Sequence, residues 1–174
     1  MDNIYKLHEI GRTMQGIKPI KKHDRFAFEV IDEAIKAANN GNFGVGAILV
    51  DKKTFNIEYR GQNKVFSHHR SDLHAEMDVL TKFEEDNKGK SRELLKHFML
   101  LSSIESCPMC ICRMITAGVN EAYHIANDAP SGMVQTFYNL PPVWHEIAQG
   151  HIYQQADCSP ELSVLAKEVF SLSK

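Results

Sequence analysis

The chain has 174 residues, of which 43% are hydrophobic and 24% are charged, and its formal net charge is −2. This length suits one domain that buries most of its apolar surface, with the composition of an ordinary globular protein. No overall basic field favours nucleic-acid binding, although a local basic patch stays open.

Targeting signals and disulfides are not expected. The amino terminus, residues 1–6, lacks the apolar core of a secretory signal, and the longest apolar stretches, such as Val45 to Val50, are too short to span a membrane. Four cysteines are present, and three of them crowd at positions 107, 110 and 112. That spacing indicates metal binding in a reducing compartment, so we expect a cytoplasmic protein that does not enter a membrane.

The first half of the chain predicts an extension, a helix and a hairpin. Residues 1–23 are polar and mixed, and we expect an amino-terminal extension that wraps on the domain or stays partly loose; residues 24–174 form the domain. Asp24 can cap a helix that Asn39-Asn40-Gly41 ends. The apolar run Val45 to Val50 predicts a buried strand, and the alternating run Thr54 to Arg60 predicts its antiparallel partner.

The second half alternates helices and strands, which is typical of an α/β domain with helices on both faces of one sheet. No role is assigned to the segment 130–158. In chain order the sequence predicts a helix over Leu73 to Phe83, a solvated loop over 84–90, a strand over His97 to Ser103, a helix over Cys107 to Ala117 ended by Gly118, a strand over Val119 to Ala126, a weaker helical segment from Pro141-Pro142, and a terminal helix over Glu161 to Leu172.

Two short motifs carry the chemistry: His74-Ala75-Glu76 and Cys107-Pro108-Met109-Cys110. One imidazole and two thiolates fill three corners of a tetrahedral zinc site and leave the fourth for water. A histidine, a nearby glutamate and a Cys-x-x-Cys pair form the signature of zinc deaminases. The sequence therefore predicts one zinc ion per chain, held by His74, Cys107 and Cys110.

The helix positions assign Glu76 a different task from the ligands. Cys107 and Cys110 lie one turn apart, so both sulfurs can face one metal, and a helix amino terminus favours the thiolate. His74 and Glu76 project about 200° apart on a regular helix. Both can therefore face one ion only if the helix begins irregularly at His74, and Glu76 is better placed to carry the protons of a metal-bound water.

Other interpretations of these motifs stay open at this point. A lone Cys-x-x-Cys pair also occurs as a redox centre or as half of a structural zinc site. A structural site needs four protein ligands, and the adjacent His68 and His69 could supply the fourth. A zinc-stabilised scaffold without catalytic activity is therefore an alternative of another class.

Over residues 24–172 the chain resembles the cytidine deaminase-like superfamily of zinc deaminases, in the branch that holds guanine, cytosine and tRNA adenosine deaminases. That resemblance implies a three-layer α/β/α sandwich with one central mixed sheet. The matching segments are Phe43-Gly44-Val45-Gly46-Ala47-Ile48-Leu49-Val50, Gly61-Gln62-Asn63, His74-Ala75-Glu76, Glu105-Ser106-Cys107-Pro108-Met109-Cys110 and Ala126-Asn127-Asp128-Ala129.

The resemblance also implies roles for single residues. His74, Cys107 and Cys110 would hold zinc, Glu76 would shuttle protons, Asn63 would hydrogen-bond the base, and the backbone N–H of Ala75 would contact it. Two departures stand out. Ser106 replaces the usual proline, and we expect it to cap the helix instead; Arg70-Ser71-Asp72-Leu73 replaces the usual stretch before the histidine.

We therefore expect a zinc-dependent hydrolytic deaminase that releases ammonia from a nucleobase or nucleoside of guanine, cytosine or adenine type. In reaction terms it would be a hydrolase acting on C–N bonds of cyclic amidines. The alternative is a tRNA-specific adenosine deaminase that converts adenosine to inosine. The basic residues nearest the motifs, Lys64, Arg70 and Arg113, are few for a strand-binding path, so a small-molecule substrate is preferred. Members of the superfamily that the chain resembles form dimers or tetramers, so the resemblance implies at least a dimer, and we expect a homodimer.

Overall fold

A five-stranded mixed sheet separates two layers of helices in the computed structural model, which describes residues 2–173. The outermost residues of the two predicted segments, Met1 and Lys174, lie outside the described range. The elements are α1 (Asp2–Gln15), α2 (Asp24–Asn39), β1 (Gly46–Asp51), β2 (Ile57–Gln62), α3 (Ala75–Asp86), α4 (Ser91–Leu94), β3 (Phe98–Ile104), α5 (Pro108–Ala117), β4 (Glu121–Ala126), α6 (Pro142–Ile147), β5 (Ile152–Gln155) and α7 (Pro160–Leu172).

The sheet has the strand order β2-β1-β3-β4-β5. β1 runs antiparallel to β2 and β3, whereas β3, β4 and β5 run parallel. The crossover from β3 to β4 passes through α5, as parallel neighbours require. The carboxyl ends of β3 and β4 therefore lie at the same edge of the sheet as the start of β1, and Gly46 donates its N–H to the Ser103 hydroxyl there at 3.1 Å.

Side chains of the central strands alternate between two apolar cores because successive residues of a strand face opposite sides. On β1, Ile48 and Val50 pack in the core beneath α1, α2 and α7, whereas Ala47 and Leu49 pack in the core beneath α3 and α5. All four are fully buried. A strand buried on both faces is a continuous apolar run, and this explains why Val45 to Val50 was predictable. The prediction of helices on both faces of one mixed sheet is confirmed.

Most predicted elements are present, with ends shifted by one to three residues. The helix predicted over Leu73 to Phe83 begins later and runs to Asp86, so the predicted solvated loop starts inside it. The helix ended by Gly118 is confirmed, and Gly118 takes the left-handed conformation with φ of 92°. The short strand β5 and the single turn α4 were not predicted.

The amino-terminal extension contains a helix, α1 (Asp2–Gln15), which the sequence analysis did not predict. Leu7, Ile10 and Met14 recur at helical spacing and are buried in the same apolar core as α2 and α7. The described part of the extension therefore packs against the domain. The division of the chain at residues 23 and 24 stays a prediction. Within residues 2–173, every helix is too short or too polar to cross a bilayer.

Asp24 begins α2 but does not cap it, so the predicted capping role is wrong. The preceding residue, His23, occupies the cap position, and no side chain caps the helix there. The Asp24 carboxylate instead accepts hydrogen bonds from the backbone N–H groups of Ile20, Lys21 and Ser159 and from the Ser159 hydroxyl, at 2.6–2.9 Å. One buried carboxylate thus joins the end of the extension to the amino termini of α2 and α7.

We expect Asp24→Asn to destabilise the fold by about 2 kcal/mol or more, because the amide nitrogen would face N–H donors. Burial alone would raise the pKa of Asp24, but the hydrogen bonds from Lys21, Ser159 and Ile20 outweigh it and hold that pKa below its ordinary value. The contribution of the carboxylate is therefore fully present above pH about 3.9, the ordinary value, and is lost as the pH falls through the lower folded pKa.

Chemical unfolding of the wild type and Asp24→Asn at several pH values checks this. The difference in the free energy of unfolding should stay constant between pH 7 and pH 5 and shrink only in stronger acid. Asp32→Asn, on the same helix but half-exposed and paired with Lys36, is the matched control. Equal effects of the two substitutions would contradict the role of Asp24.

Candidate metal centre and active site

Two helices begin at one edge of the sheet and bring the predicted metal ligands together. His74 is the residue before α3, and Cys107 is the residue before α5; both have extended backbone conformations. Cys110 lies in the first turn of α5. The His74 Nδ1 atom lies 3.6 Å from the Cys107 Sγ atom and 3.5 Å from the Cys110 Sγ atom.

These three donor atoms fit a zinc ion. All of them lie within 4.8 Å of one another, and they form the one group of this kind within residues 2–173. Zinc bonds of about 2.0–2.3 Å in a tetrahedron separate neighbouring ligand atoms by roughly 3.5 Å, which agrees with the histidine–sulfur distances. Three protein ligands leave one tetrahedral position for water or substrate, as in catalytic zinc sites.

The two thiols are strongly coupled. A hydrogen bond from Cys110, with a second from His74, lowers the pKa of Cys107 to about 4, while the same pairing with Cys107, together with burial, raises the pKa of Cys110. The hydrogen bond with Cys107 also raises the pKa of His74. Zinc binds cysteine as the thiolate, so metal binding at this group would displace thiol protons.

Glu76 lies beside this group because α3 begins irregularly. The extended backbone of His74 (φ −70°, ψ 166°) places the histidine before the first helical residue, so the separation of about 200° on a regular helix does not apply. His74 and Glu76 both line the same cavity. Glu76 is 3% exposed, and burial raises the pKa of its carboxyl above the ordinary value. A buried glutamate with a raised pKa is suited to accept and return a proton near neutral pH.

Ser106 contacts Glu76 and does not cap a helix, so the predicted capping role of this serine is wrong. Its hydroxyl donates a hydrogen bond of 2.7 Å to the Glu76 Oε1 atom, and both side chains are buried. No side chain caps α5, and Pro108 at its first position gives the helix a fixed start. Ser106 therefore holds one oxygen of Glu76 in place.

A cavity of about 180 Å³ opens beside the His74–Cys107 pair. This volume is below the roughly 300–1,000 Å³ of sites for drug-sized ligands, so the cavity suits a single small ring system. Apolar side chains from three parts of the chain face polar ones across it. The lining residues are Phe43, Val45, Asn63, His74, Glu76, Ile104, Glu105, Cys107, Asp128, Ser131 and Phe170.

The predicted substrate contacts have different positions. Asn63 lines the cavity and is 3% exposed. Its side-chain Oδ1 atom accepts the backbone N–H of Val65 at 3.2 Å. Ala75 is fully buried and is not part of the lining. Its neighbourhood is tight, since a Cβ atom on Gly61 would come within 2.4 Å of the Ala75 carbonyl oxygen. His68 and His69 are exposed and lie outside the metal-binding group, which removes the proposed fourth ligand.

Several lining residues were not assigned a function from the sequence. Glu105 and Asp128 stood within the segments that carry the family resemblance, but nothing in their spacing indicated a shared cavity. Phe43 and Phe170 are far apart in the sequence, but their ring centroids lie only 6.4 Å apart. Pairs that are distant in sequence and meet only through packing leave no periodic signal.

Comparison with known proteins places the chain among deaminases. The family model described as the cytidine and deoxycytidylate deaminase zinc-binding region matches residues 20–126. The tRNA-specific adenosine deaminase of Bacillus subtilis (strain 168) is 33% identical over 112 residues, which is 64% of this chain. The match spans 66% of that protein, just under two thirds of its length.

Two solved structures share the fold at low sequence identity. A guanine deaminase from Nitrosomonas europaea superimposes with a TM-score of 0.66 at 17% identity, over 88% of each chain. A structure from work on A-to-I editing by tRNA:A34 deaminases also superimposes with a TM-score of 0.66, at 22% identity over 80% of this chain and 94% of that one. The predicted three-layer sandwich of the deaminase type is therefore confirmed.

We expect one zinc ion per chain, lost on Cys107→Ala or Cys110→Ala because two ligands hold a metal far more weakly than three. Elemental analysis of protein purified without added metal checks this. Cys112→Ala is the matched control, since this cysteine lies in α5 with Cys110 but is not part of the ligand group. A zinc content that is unchanged in the Cys110 variant, or lost in the Cys112 variant, would disprove the assignment.

Proposed function

The chain belongs to the cytidine and deoxycytidylate deaminase zinc-binding family, and on this premise we propose that it is a zinc-dependent hydrolytic deaminase of a nucleobase or nucleoside. The reaction replaces an exocyclic amine of a ring with oxygen and releases ammonia, as a hydrolase acting on C–N bonds of cyclic amidines. The observation that carries this proposal is the cluster of His74, Cys107 and Cys110 with a buried glutamate in the same cavity.

The proposal assigns the metal to His74, Cys107 and Cys110 and the proton transfers to Glu76. When bound, zinc lowers the pKa of a coordinated water and so supplies a nucleophile near neutral pH. Glu76 would take one proton from the attacking water and deliver it to the ring nitrogen. It would then move a second proton, from the hydroxyl added to the ring carbon, to the departing amine, which leaves as ammonia while the carbonyl forms. Its raised pKa supports both roles, because burial makes the carboxylate a stronger base, and a pKa closer to the working pH lets one group accept a proton and return it.

The cavity supports recognition of a flat ring. Asn63 offers an amide that can hydrogen-bond the edge of a base, while Phe43, Val45 and Ile104 supply apolar surface. As the first residue of α3, Ala75 has a backbone N–H that the helix does not use, and its contact with the base stays a prediction. An amide beside apolar walls holds a base by its edge and its faces at once.

The charges near the site favour a small substrate over a nucleic-acid strand. Each of the basic residues named from the sequence is paired with a carboxylate: Lys64 with Asp78 at 2.8 Å, Arg70 with Asp72 at 2.7 Å, and Arg113 with Glu84. Paired cations contribute little attraction for phosphates, and strand binding draws most of its affinity from such contacts. If the substrate were a nucleotide, Arg70 could contact its phosphate only after breaking the ion pair with Asp72.

A second candidate function is adenosine deamination in tRNA. The tRNA-specific adenosine deaminase of Bacillus subtilis at 33% identity is the observation that favours it. The two candidates share the zinc chemistry and the role of Glu76. They differ in what surrounds the base, since a tRNA substrate needs contacts to the flanking nucleotides beyond the cavity.

The proposal also includes a cytoplasmic location and assembly as a homodimer. All four cysteines are free thiols, and a reducing compartment such as the cytoplasm would keep them so. A homodimer stays a prediction from the relatives. The zinc-stabilised scaffold without activity is less well supported, because it gives no task to a buried Glu76 beside three metal ligands.

We expect Glu76→Gln to keep the fold and the zinc but to lower kcat by about 10²–10⁴-fold or more, since general acid–base catalysis is worth about that much. Ammonia release and zinc content are measured on the same preparation. Glu85→Gln, an exposed position on the same helix, is the matched control and should keep full activity. A Glu76→Gln enzyme with most of its activity would remove this residue from the mechanism.

We expect ammonia release from at least one of guanine, adenine, cytosine or their nucleosides, because the cavity accommodates a single base and the nearby cations are paired. A tRNA anticodon stem-loop, assayed for inosine in parallel at physiological salt, should stay unmodified. Inosine in the stem-loop with every small substrate inert would favour the tRNA candidate. Inactivity of the zinc-loaded protein on both kinds of substrate would favour the scaffold.

A further inference from the structure

A buried carboxylate that the proposed chemistry does not use lies at the junction of β3 and α5. Glu105 follows the last residue of β3 and is 5% exposed. Its Oε2 atom accepts the backbone N–H of Asp128 at 3.1 Å, and its Oε1 atom accepts the backbone N–H of Gln135 at 2.9 Å. Each oxygen of this carboxylate is therefore bound to the loop that follows β4.

The same loop is shaped to fit the carboxylate. A Cβ atom added to Gly132 would come within 2.3 Å of the Glu105 Cδ atom, a distance that Cβ atoms essentially never show. The position therefore requires glycine as long as Glu105 stays where it is. A further hydrogen bond of 2.9 Å, from the N–H of Met133 to the carbonyl of Ser106, fixes the loop to the next residue of the junction.

The loop matters to the site because two of its residues, Asp128 and Ser131, line the cavity beside His74 and Glu76. This loop consists of residues 127–135 and joins β4 to the segment before α6. Among the described residues, neither Asp128 nor Ser131 is held there by an ion pair or a side-chain hydrogen bond of its own. The hydrogen bonds to Glu105 and Ser106 join the loop to the start of α5, while the N–H groups of Ser131 and Gly132 donate to the Asp128 carbonyl within the loop.

We propose that Glu105 is a positioning residue: its carboxylate holds the loop 127–135 as one wall of the substrate cavity. The inference rests on the proposed function for its effect on substrate. Glu105 itself lines the cavity, but both of its oxygens already accept loop N–H groups, so its effect on substrate passes through the loop. Within residues 2–173, the hydrogen bonds of the metal ligands and of Glu76 do not involve Glu105, so we expect them to remain when Glu105 is replaced.

Because Glu105 contacts the loop and not the metal ligands or Glu76, its replacement should change KM more than kcat. Loss of the carboxylate loosens the wall and weakens the hold on substrate, whereas the groups that carry out the reaction keep their places. We expect Glu105→Ala to raise KM about tenfold, the effect of one to two lost buried hydrogen bonds, with kcat within about twofold and one zinc per chain. Glu105→Gln should have an intermediate effect, because its amide nitrogen would face a loop donor. Glu58→Ala, an exposed position on β2, is the control.

A double substitution tests the contact between the carboxylate and the glycine. Gly132→Ala alone should also raise KM, because the new methyl group displaces Glu105 or the loop. In the Glu105→Ala background the same substitution should add less than about twofold, since the clash is gone. Gly11→Ala, where a Cβ atom would meet no neighbour within 4 Å, is the control for the change of glycine to alanine. Additive effects, or a Gly132→Ala enzyme with unchanged KM, would overturn the proposal.

Hydrogen exchange gives a readout that does not need a substrate. The amides of Asp128 and Gln135 should exchange about tenfold faster in Glu105→Ala than in the wild type and should be unchanged in Glu58→Ala. Unchanged exchange at these two amides, or a fall in kcat at constant KM, would disprove a positioning role. If every substrate is inert while the exchange rates respond as expected, the proposed function fails and the loop contact stands.

Discussion

The site depends on two helices that begin at the same edge of one sheet. α3 and α5 each direct an amino terminus to the region where β3 ends and β1 starts, and a residue in extended conformation precedes each helix. Helix amino termini carry unpaired N–H groups and partial positive charge. A histidine before one helix and a cysteine before the other thus meet where negative charge on sulfur is stabilised. If the two termini lay a few ångströms further apart, His74 could not reach the sulfurs, and only the Cys-x-x-Cys pair would remain as a metal-binding group.

The three residues that precede α5 contact three different parts of the site. Glu105 accepts N–H groups of the loop 127–135, Ser106 donates to Glu76, and Cys107 belongs to the metal-binding group. The side chains of successive residues point in different directions in an extended segment, so each of these residues reaches a different neighbour. Three consecutive residues thus connect the metal-binding group, the buried Glu76 and the cavity wall.

Burial gives the polar groups of the site their properties. Glu76 is almost fully enclosed and burial raises its pKa, while hydrogen bonds with Cys110 and His74 lower the pKa of Cys107 to about 4. A metal cation held by His74, Cys107 and Cys110 would favour the thiolate form of both cysteines. Lys64, Arg70 and Arg113, the basic residues named near the two motifs, are paired with carboxylates, so the helix termini are the nearer source of positive charge for the metal-binding group.

The sequence determined the deaminase family, the residues of the metal-binding group and most of the elements, since all of these are encoded locally. Apolar periodicity indicated β1, α2 and α7, and ligand spacing within two short motifs identified His74, Cys107 and Cys110. The structure decided what depends on distant contacts: that Asp24 joins three segments instead of capping one, that Ser106 binds Glu76, and that α1 is part of the apolar core. Residues such as Asn63, Asp128 and Phe170 come to one cavity only through packing. A hydrogen bond between residues 20–30 positions apart leaves no periodic trace in a single sequence, because nothing local requires it.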